Sequence, residues 1–438
     1  MRILVACDTF KESCSAPDAC ESISRGLRKH HSSWDIDVCP LADGGEGTIA
    51  SIAMSIALDL EPVQVKGPLG EPVEAELAWI EGALPAGLIE GSDAPGAAPG
   101  RVAIIEAASC LGLGLVPERR RNPLMTSSYG LGQLLALAQQ RGAGWVIVGL
   151  GGTSTVDVGI GMAQALGATI PGIREPAGGG ALAHISLVDV SGIARRNFGL
   201  RVLAACDVRN PLLGARGAAR AFAPQKGASP QVVEYLEQGA AHFAHQLFEV
   251  CEGARANSGA SRAPPLGDPS LLSAARVARS LGFEEAVSQA GAGAAGGLGF
   301  ALRQLLCATL INGVDWVMRC VNFDERLARA DWVVTGEGKL DESSFEGKVV
   351  SGVVERAAKK GIPIAAICGQ NALSTQECAT RGLSHVETLV DLARDESDAK
   401  ARATELLADA GGRLASRLES IACREDPARR HDTNHEKD

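Results

Sequence analysis

The chain has 438 residues, 46% of them hydrophobic and 21% charged, enough for roughly two to three domains with buried cores and incompatible with disorder over most of its length. Its 52 acidic against 42 basic residues give a net charge of −10, and aromatic residues make up only 4%, so phosphate backbones are repelled and bases find little to stack on. Nucleic acid is therefore not an expected partner. Glycine is in excess, 52 residues or about 12% against a usual share near 7%, and its placement needs a reason.

The apolar run before Asp8 has only five residues, Ile3 to Cys7, too few for the core of a secretory signal, and no apolar run approaches the roughly 18 residues of a membrane span. Twelve cysteines without a Cys-x-x-Cys pair suit a reducing compartment. A cytoplasmic protein with no membrane partner is the expectation.

Short β-branched runs at residues 3–6, 36–39, 102–106, 145–148, 202–206, 332–335 and 364–367 predict strands. Helical patterns alternate with them at 17–30, 48–58, 130–141, 232–250, 299–308, 349–360 and 398–421. That alternation predicts an α/β fold with a parallel, doubly wound sheet covered by helices. The stretches 81–100 and 252–268 read as surface insertions, and the charged tail 424–438 as disordered. The strongest strand-loop-helix units lie at the two chain ends, which predicts that the ends share one sheet and the middle forms a second domain.

The glycines and acids collect where candidate strands end, the place where open α/β sheets bind ligands. After the first strand, Asp8 is a candidate metal ligand or proton acceptor and Lys11 a candidate phosphate or carboxylate contact, with an ordinary polar turn as the competing reading. After the second, Asp43 and Glu46 stand among Gly44, Gly45 and Gly47, more carboxylate than a turn needs, and suit Mg²⁺ or a polyol. Gly151, Gly152, Thr153, Ser154 and Thr155, followed by Asp157, read as an anion cradle, although no G-x-x-x-x-G-K-[ST] occurs. Gly291, Gly293 and Gly296 satisfy G-x-G-x-x-G, yet residues 284–290 read as helix or loop, and a dinucleotide site needs a strand there. Finally Glu337, Asp341 and Lys348 follow a strand and precede a helix, a setting for a metal-bound polyphosphate. Asp207, with the amide of Asn210 in the same segment, and Lys226 extend this recurrence of acids and lysines, which fits phosphoryl transfer.

Taken in order, these segments resemble the bacterial glycerate kinase family, type I. The family's D-S-F-K appears as Asp8 to Lys11, A-D-G-G-E-G-T as Ala42 to Thr48, N-P-L-x-T as Asn122 to Thr126 and G-G-S as Gly151 to Thr153. D-V-x-N-P-L-L-G follows as Asp207 to Gly214, P-Q-K-G as Pro224 to Gly227, G-A-G-A-A-G-G-L-G as Gly291 to Gly299, T-G-E-G-x-x-D as Thr335 to Asp341, and G-K as Gly347-Lys348. The family's loop G-G-S-A-T-N-D-G-G departs here to GGTSTVDVG, with Val156 for Asn and Val158 for Gly, and prolines of the family are Ala290 and Val350.

The resemblance implies ATP-dependent, Mg²⁺-assisted phosphorylation of D-glycerate, with 2-phosphoglycerate favoured over 3-phosphoglycerate. It also implies two α/β domains, a discontinuous flavodoxin-like one at 1–62 plus 314–423 and a mixed one at 63–313, with the active site in the cleft between them. On this basis Asp8, Lys11, Asp43 and Glu46 are assigned to catalysis, and Lys226, Asp207 and Asn210 to the substrate. Gly151, Gly152, Thr153, Ser154, Asp157, Gly293, Gly296 and Lys348 are assigned to phosphate, and Glu337 and Asp341 to Mg²⁺. Two other classes compete: an NAD-dependent hydroxy-acid oxidoreductase, which would use the glycines at 291–296, and a non-catalytic protein that senses glycerate or nucleotide.

Overall fold

A computed structural model describes residues 1–80, 101–195, 200–257 and 282–425. The expected insertion at 81–100, residues 258–268 of the other one, and the tail from 426 lie outside them. Residues 252–257 instead finish the helix Pro230–Asn257, longer than the 232–250 expected, and the helix Ala403–Glu425 runs two residues into the expected tail.

Eleven strands occur among the described residues: β1 (Arg2–Val5), β2 (Asp35–Val38), β3 (Leu58–Lys66), β4 (Pro72–Ile80), β5 (Arg101–Glu106), β6 (Ala143–Gly149), β7 (Arg201–Ala205), β8 (Thr309–Ile311), β9 (Trp332–Leu340), β10 (Ile364–Asn371) and β11 (His385–Thr388). The chain separates into two compact units, one of Met1–Ala42, Ala50–Ser55 and Met318–Asp438, the other of Asp43–Ile49 and Ile56–Val317.

The first unit contains a five-stranded sheet in the order β11-β10-β9-β1-β2, parallel throughout. Numbered within the sheet this is 2-1-3-4-5, a doubly wound order that reverses direction between β1 and β9. Ile3, Val5, Val334 and Ile367 from the sheet share one core with Ile23, Leu27, Leu407 and Leu414 from helices. The helix Ala16–His30 starts where Ser15 accepts a hydrogen bond from the Asp18 amide, carries Asp18 in its first turn, and ends on Arg28, Lys29 and His30, charges that suit its dipole. Complete burial of its Ile23 and Leu27 contributes about 1.5–3 kcal/mol each.

The second unit contains a six-stranded sheet in the order β3-β4-β5-β6-β7-β8, antiparallel across β3, β4 and β5 and parallel from β5 to β8. The hairpin of β3 and β4 departs from the sequence reading, which extends a helix to residue 58 and assigns no strand from there to 80; the helix stops at Ala53. Pro62 hides β3, because proline removes a ladder donor, and β3 tolerates it by lying at the edge of the sheet. Leu77, Ala103, Ile105, Val146, Val148 and Leu131 join the core of this unit.

Between β6 and the helix Ile160–Leu166, Val158 is completely buried at φ 48°, in the left-handed region that a β-branched residue adopts only under strain. The position is the one where the family pattern has glycine. Val158→Ala and Val158→Gly lose the same packed methyl groups, but only glycine also relieves the backbone, so the Gly variant should be the more stable of the two by about 1 kcal/mol in urea unfolding. The ordinary order, Ala above Gly, would refute the strain.

Candidate functional site

In the first unit the reversal of strand order gathers charged residues. The β1 end continues in register beside β9, with the Asp8 amide donating to the Gly336 carbonyl at 2.8 Å, which sets Asp8 alongside Gly336-Glu337. Buried Phe10 exchanges backbone hydrogen bonds with Cys14 and holds the turn that carries exposed Lys11. Glu337 is only 9% exposed, and its Oε1 is buried with no hydrogen-bond partner among the described residues. Burial raises its carboxyl above the usual range and nearby Asp341 adds to this, while a hydrogen bond with the Ser344 side chain and the charges of Lys348 and Lys11 oppose it. The structure thus brings Lys11, Asp341 and Lys348 within electrostatic reach of Glu337.

Asp341 and Lys348 also have local duties. The Asp341 Oδ1 caps the short turn Glu342–Phe345, accepting from the Ser343 amide at 2.9 Å and the Ser343 hydroxyl at 2.7 Å, and these bonds hold its carboxyl below the usual range. Lys348 is the N-cap residue of the helix Val349–Lys360 and donates from Nζ to the Ser343 hydroxyl at 2.9 Å. Among the described residues no group of three or more His, Cys, Asp or Glu side chains is placed to hold a metal ion. The unpartnered oxygen of Glu337 with Asp341 nearby nevertheless suits a Mg²⁺ that takes most of its ligands from phosphates and water, since such ions need only one or two protein carboxylates.

In the second unit two glycine loops lie backbone on backbone. A Cβ on Gly45 would stand 2.9 Å from the Gly151 Cα, and one on Gly149 only 2.1 Å from the Gly44 carbonyl oxygen. Asp43 is half-buried and accepts the Gly45 amide at 2.9 Å, while exposed Glu46 has its Oε2 3.7 Å from the Cβ position of Gly152. The hydroxyls of the 153–155 run do not present the open cradle expected: Thr153, Ser154 and Thr155 are all buried, and Ser154 donates to the Leu111 carbonyl at 2.8 Å. The half-buried Gly151 and exposed Gly152 are what this loop offers to a ligand.

Asp157 is completely buried and accepts from the Ser128 amide and hydroxyl and from the amides of Gly159 and Gly161, at 2.7–3.3 Å. Burial raises its carboxyl and these four bonds oppose the shift, so it braces the loop from beneath. Lys226, 3% exposed, donates to the Thr155 carbonyl at 2.8 Å; burial lowers its ammonium to about 7 against the pull of Asp157. Asn210 donates to the Arg216 carbonyl at 2.7 Å, and Asp207 lies just past the end of β7. The segment from Gly291 is preceded by the helix Phe283–Ser288 and not by a strand, so the dinucleotide context is missing. Gly293 and Gly296 serve close packing instead: a Cβ would meet the Pro211 carbonyl oxygen at 2.2 Å and the Thr155 carbonyl oxygen at 2.1 Å.

Glu106, at the end of β5, has no counterpart in the sequence reading. Its two carboxylate oxygens accept the amides of Ile49 at 2.6 Å and Gly47 at 3.2 Å, clamping the 43–49 loop to the sheet. Burial pushes its carboxyl up to about 7, opposed by those two bonds and reinforced by the charges of Glu46 and Glu76. Its only sequence signal is an acid closing a predicted strand.

Parallel strands whose carboxyl ends carry paired acids, lysines and glycine loops define an α/β enzyme. The model of the Glycerate kinase family matches residues 3–419. A glycerate kinase of Halalkalibacterium halodurans is 36% identical over 418 residues, 94% of this chain and 97% of that one. A glycerate 2-kinase of Escherichia coli K12 is 35% identical over 372 residues, covering 84% and 85%. A crystal structure from Salmonella typhimurium LT2, provisionally named glycerate kinase 2, superposes with a TM-score of 0.69 at 31% identity over 96% of this chain and 99% of that one. The chain belongs to the glycerate kinase family.

Because Glu106 has its folded pKa above the ordinary carboxyl value, folding favours its protonated form, and it costs stability as pH rises from the carboxyl range through about 7. Relative to Glu106→Gln, which cannot ionise, the wild type should lose on the order of 3 kcal/mol between pH 4 and pH 8 in urea titrations. A pH-independent difference would show that the group is not held in a dry site.

Proposed function

We propose that the enzyme transfers the γ-phosphoryl group of ATP to a hydroxyl of D-glycerate, giving 2-phosphoglycerate. The observation that carries this reading is the convergence of Lys11, Glu337, Asp341 and Lys348 beside Asp8 at the reversal point of the five-stranded sheet. Phosphoryl transfer needs charge neutralisation and alignment more than covalent chemistry, and two lysines among carboxylates supply both. The 2-position is preferred because one relative of comparable similarity is named a glycerate 2-kinase.

Lys348, at the N-terminus of the helix Val349–Lys360, binds phosphate oxygens. Glu337 and Asp341 would hold Mg²⁺, which when bound neutralises charge on the phosphates. Lys11 pairs with the glycerate carboxylate. The substrate hydroxyl oxygen bonds to phosphorus as the bond from phosphorus to the bridging oxygen of ADP breaks, and the hydroxyl proton passes to Asp8 or Asp43. Lys226 and Asp157, given to substrate and phosphate on sequence grounds, act through the loop they brace. The flavodoxin-like reading of the first unit draws support from its 2-1-3-4-5 strand order. Free thiols such as those of buried Cys7, Cys110 and Cys368 suit a reducing, cytoplasmic setting.

A coupled ADP-release assay with D-glycerate, followed by phosphorus NMR of the product, tests activity and regiochemistry together. Lys11→Met should lower kcat/KM for glycerate, and whichever of Asp8→Asn and Asp43→Asn removes the base should lower kcat about 100-fold or more. Near-normal kcat/KM for both substrates in all three variants would overturn the assignment.

A further inference from the structure

In the second unit, a cavity of about 650 Å³ opens beside the N-terminus of the helix Pro230–Asn257. Three consecutive arginines, Arg119, Arg120 and Arg121, line it with Asn122 and Ser229, and no carboxylate is among its lining residues. Glu71 reaches Arg120 at 3.0 Å across an exposed pair, a contact that screening leaves weak. Arg121 is different: it is half-buried, and its Nε is buried with no hydrogen-bond partner among the described residues. An unsatisfied guanidinium donor costs free energy, and the residue that carries it lines the cavity.

Two sources of positive potential therefore meet in one concavity, a planar guanidinium cluster and the amino end of a 28-residue helix. Guanidinium forks match tetrahedral oxyanions in geometry as well as charge. We propose that this cavity binds the phosphate group of a small phosphomonoester, at a site distinct from the Lys348 turn. Arg121 supplies the central fork and Arg119 a peripheral charge, and the amino end of the helix adds the positive end of its dipole.

The test is calorimetric titration of the intact protein at constant ionic strength with inorganic phosphate and, separately, glycerol 1-phosphate, using sodium chloride as the control. Saturable binding of both probes is expected, weakened about tenfold or more in Arg121→Gln and by a smaller factor in Arg119→Gln, and retained in Lys348→Met. Tighter binding of the ester points to an organic phosphate as the occupant, and equal binding to free phosphate; either result supports the site. Arg119 is exposed, so Arg119→Gln tests the site even if Arg121→Gln fails to fold. Unsaturable binding, binding untouched by Arg119→Gln, or binding abolished in Lys348→Met alone would each overturn the proposal.

Discussion

The contact between the 43–47 loop and the 149–152 loop is the constraint on which the second unit's site depends. The two chains touch through Cα and carbonyl atoms, with Gly45 facing Gly151 and Gly149 facing the Gly44 carbonyl, at separations that leave no room for a methyl group. Side-chain packing can be repaired by a rotamer change; backbone against backbone cannot. The loop carrying Asp43 and Glu46 is thereby held to the end of β6, and Glu106 adds a second fastening from β5 through Gly47 and Ile49. Part of the glycine excess is a requirement for close approach, at strand ends as here and between helices as where Gly26 meets the Ala408 backbone.

Buried charge is handled by two different means in this protein. Asp157 is surrounded by four donors, so its burial is offset in place and the loop above it is fixed. Glu337 keeps one buried oxygen without a hydrogen-bond partner among the described residues, with two lysines at a distance. The contrast separates an acid that braces a loop, Asp157 among the glycines after β6, from an acid with an oxygen to spare, Glu337 inside β9.

That distinction is what the sequence could not express. Strands such as β1 and β9 were legible because apolar runs end abruptly in Asp8 and in Glu337, and the helix Ala16–His30 because Ser15, Pro17 and Asp18 mark its start. The hairpin of β3 and β4 was not, since alternating residues with Pro62 inside imitate a loop. Ser154 and Asp157 looked like ligand groups because composition says nothing of which way a hydroxyl or carboxylate turns. Glu106 was invisible as a partner of Gly47 because the two stand 59 positions apart, and only the fold makes them neighbours.

The first sheet places β1 between β2 and β9, so a strand made from residues 2–5 has its inner neighbour at residues 332–340. During synthesis the N-terminal strand leaves the ribosome long before Trp332 exists, and at ordinary elongation rates the wait is roughly 15–65 s. For that interval Ile3, Leu4 and Val5 are an apolar edge with nothing beside it on one side, the condition under which nascent chains pair wrongly or recruit chaperones. Residues 56–317, which form most of the other unit, are completed meanwhile. The order in which the ribosome delivers the chain is thus opposite to the order in which the sheet of the first unit can close.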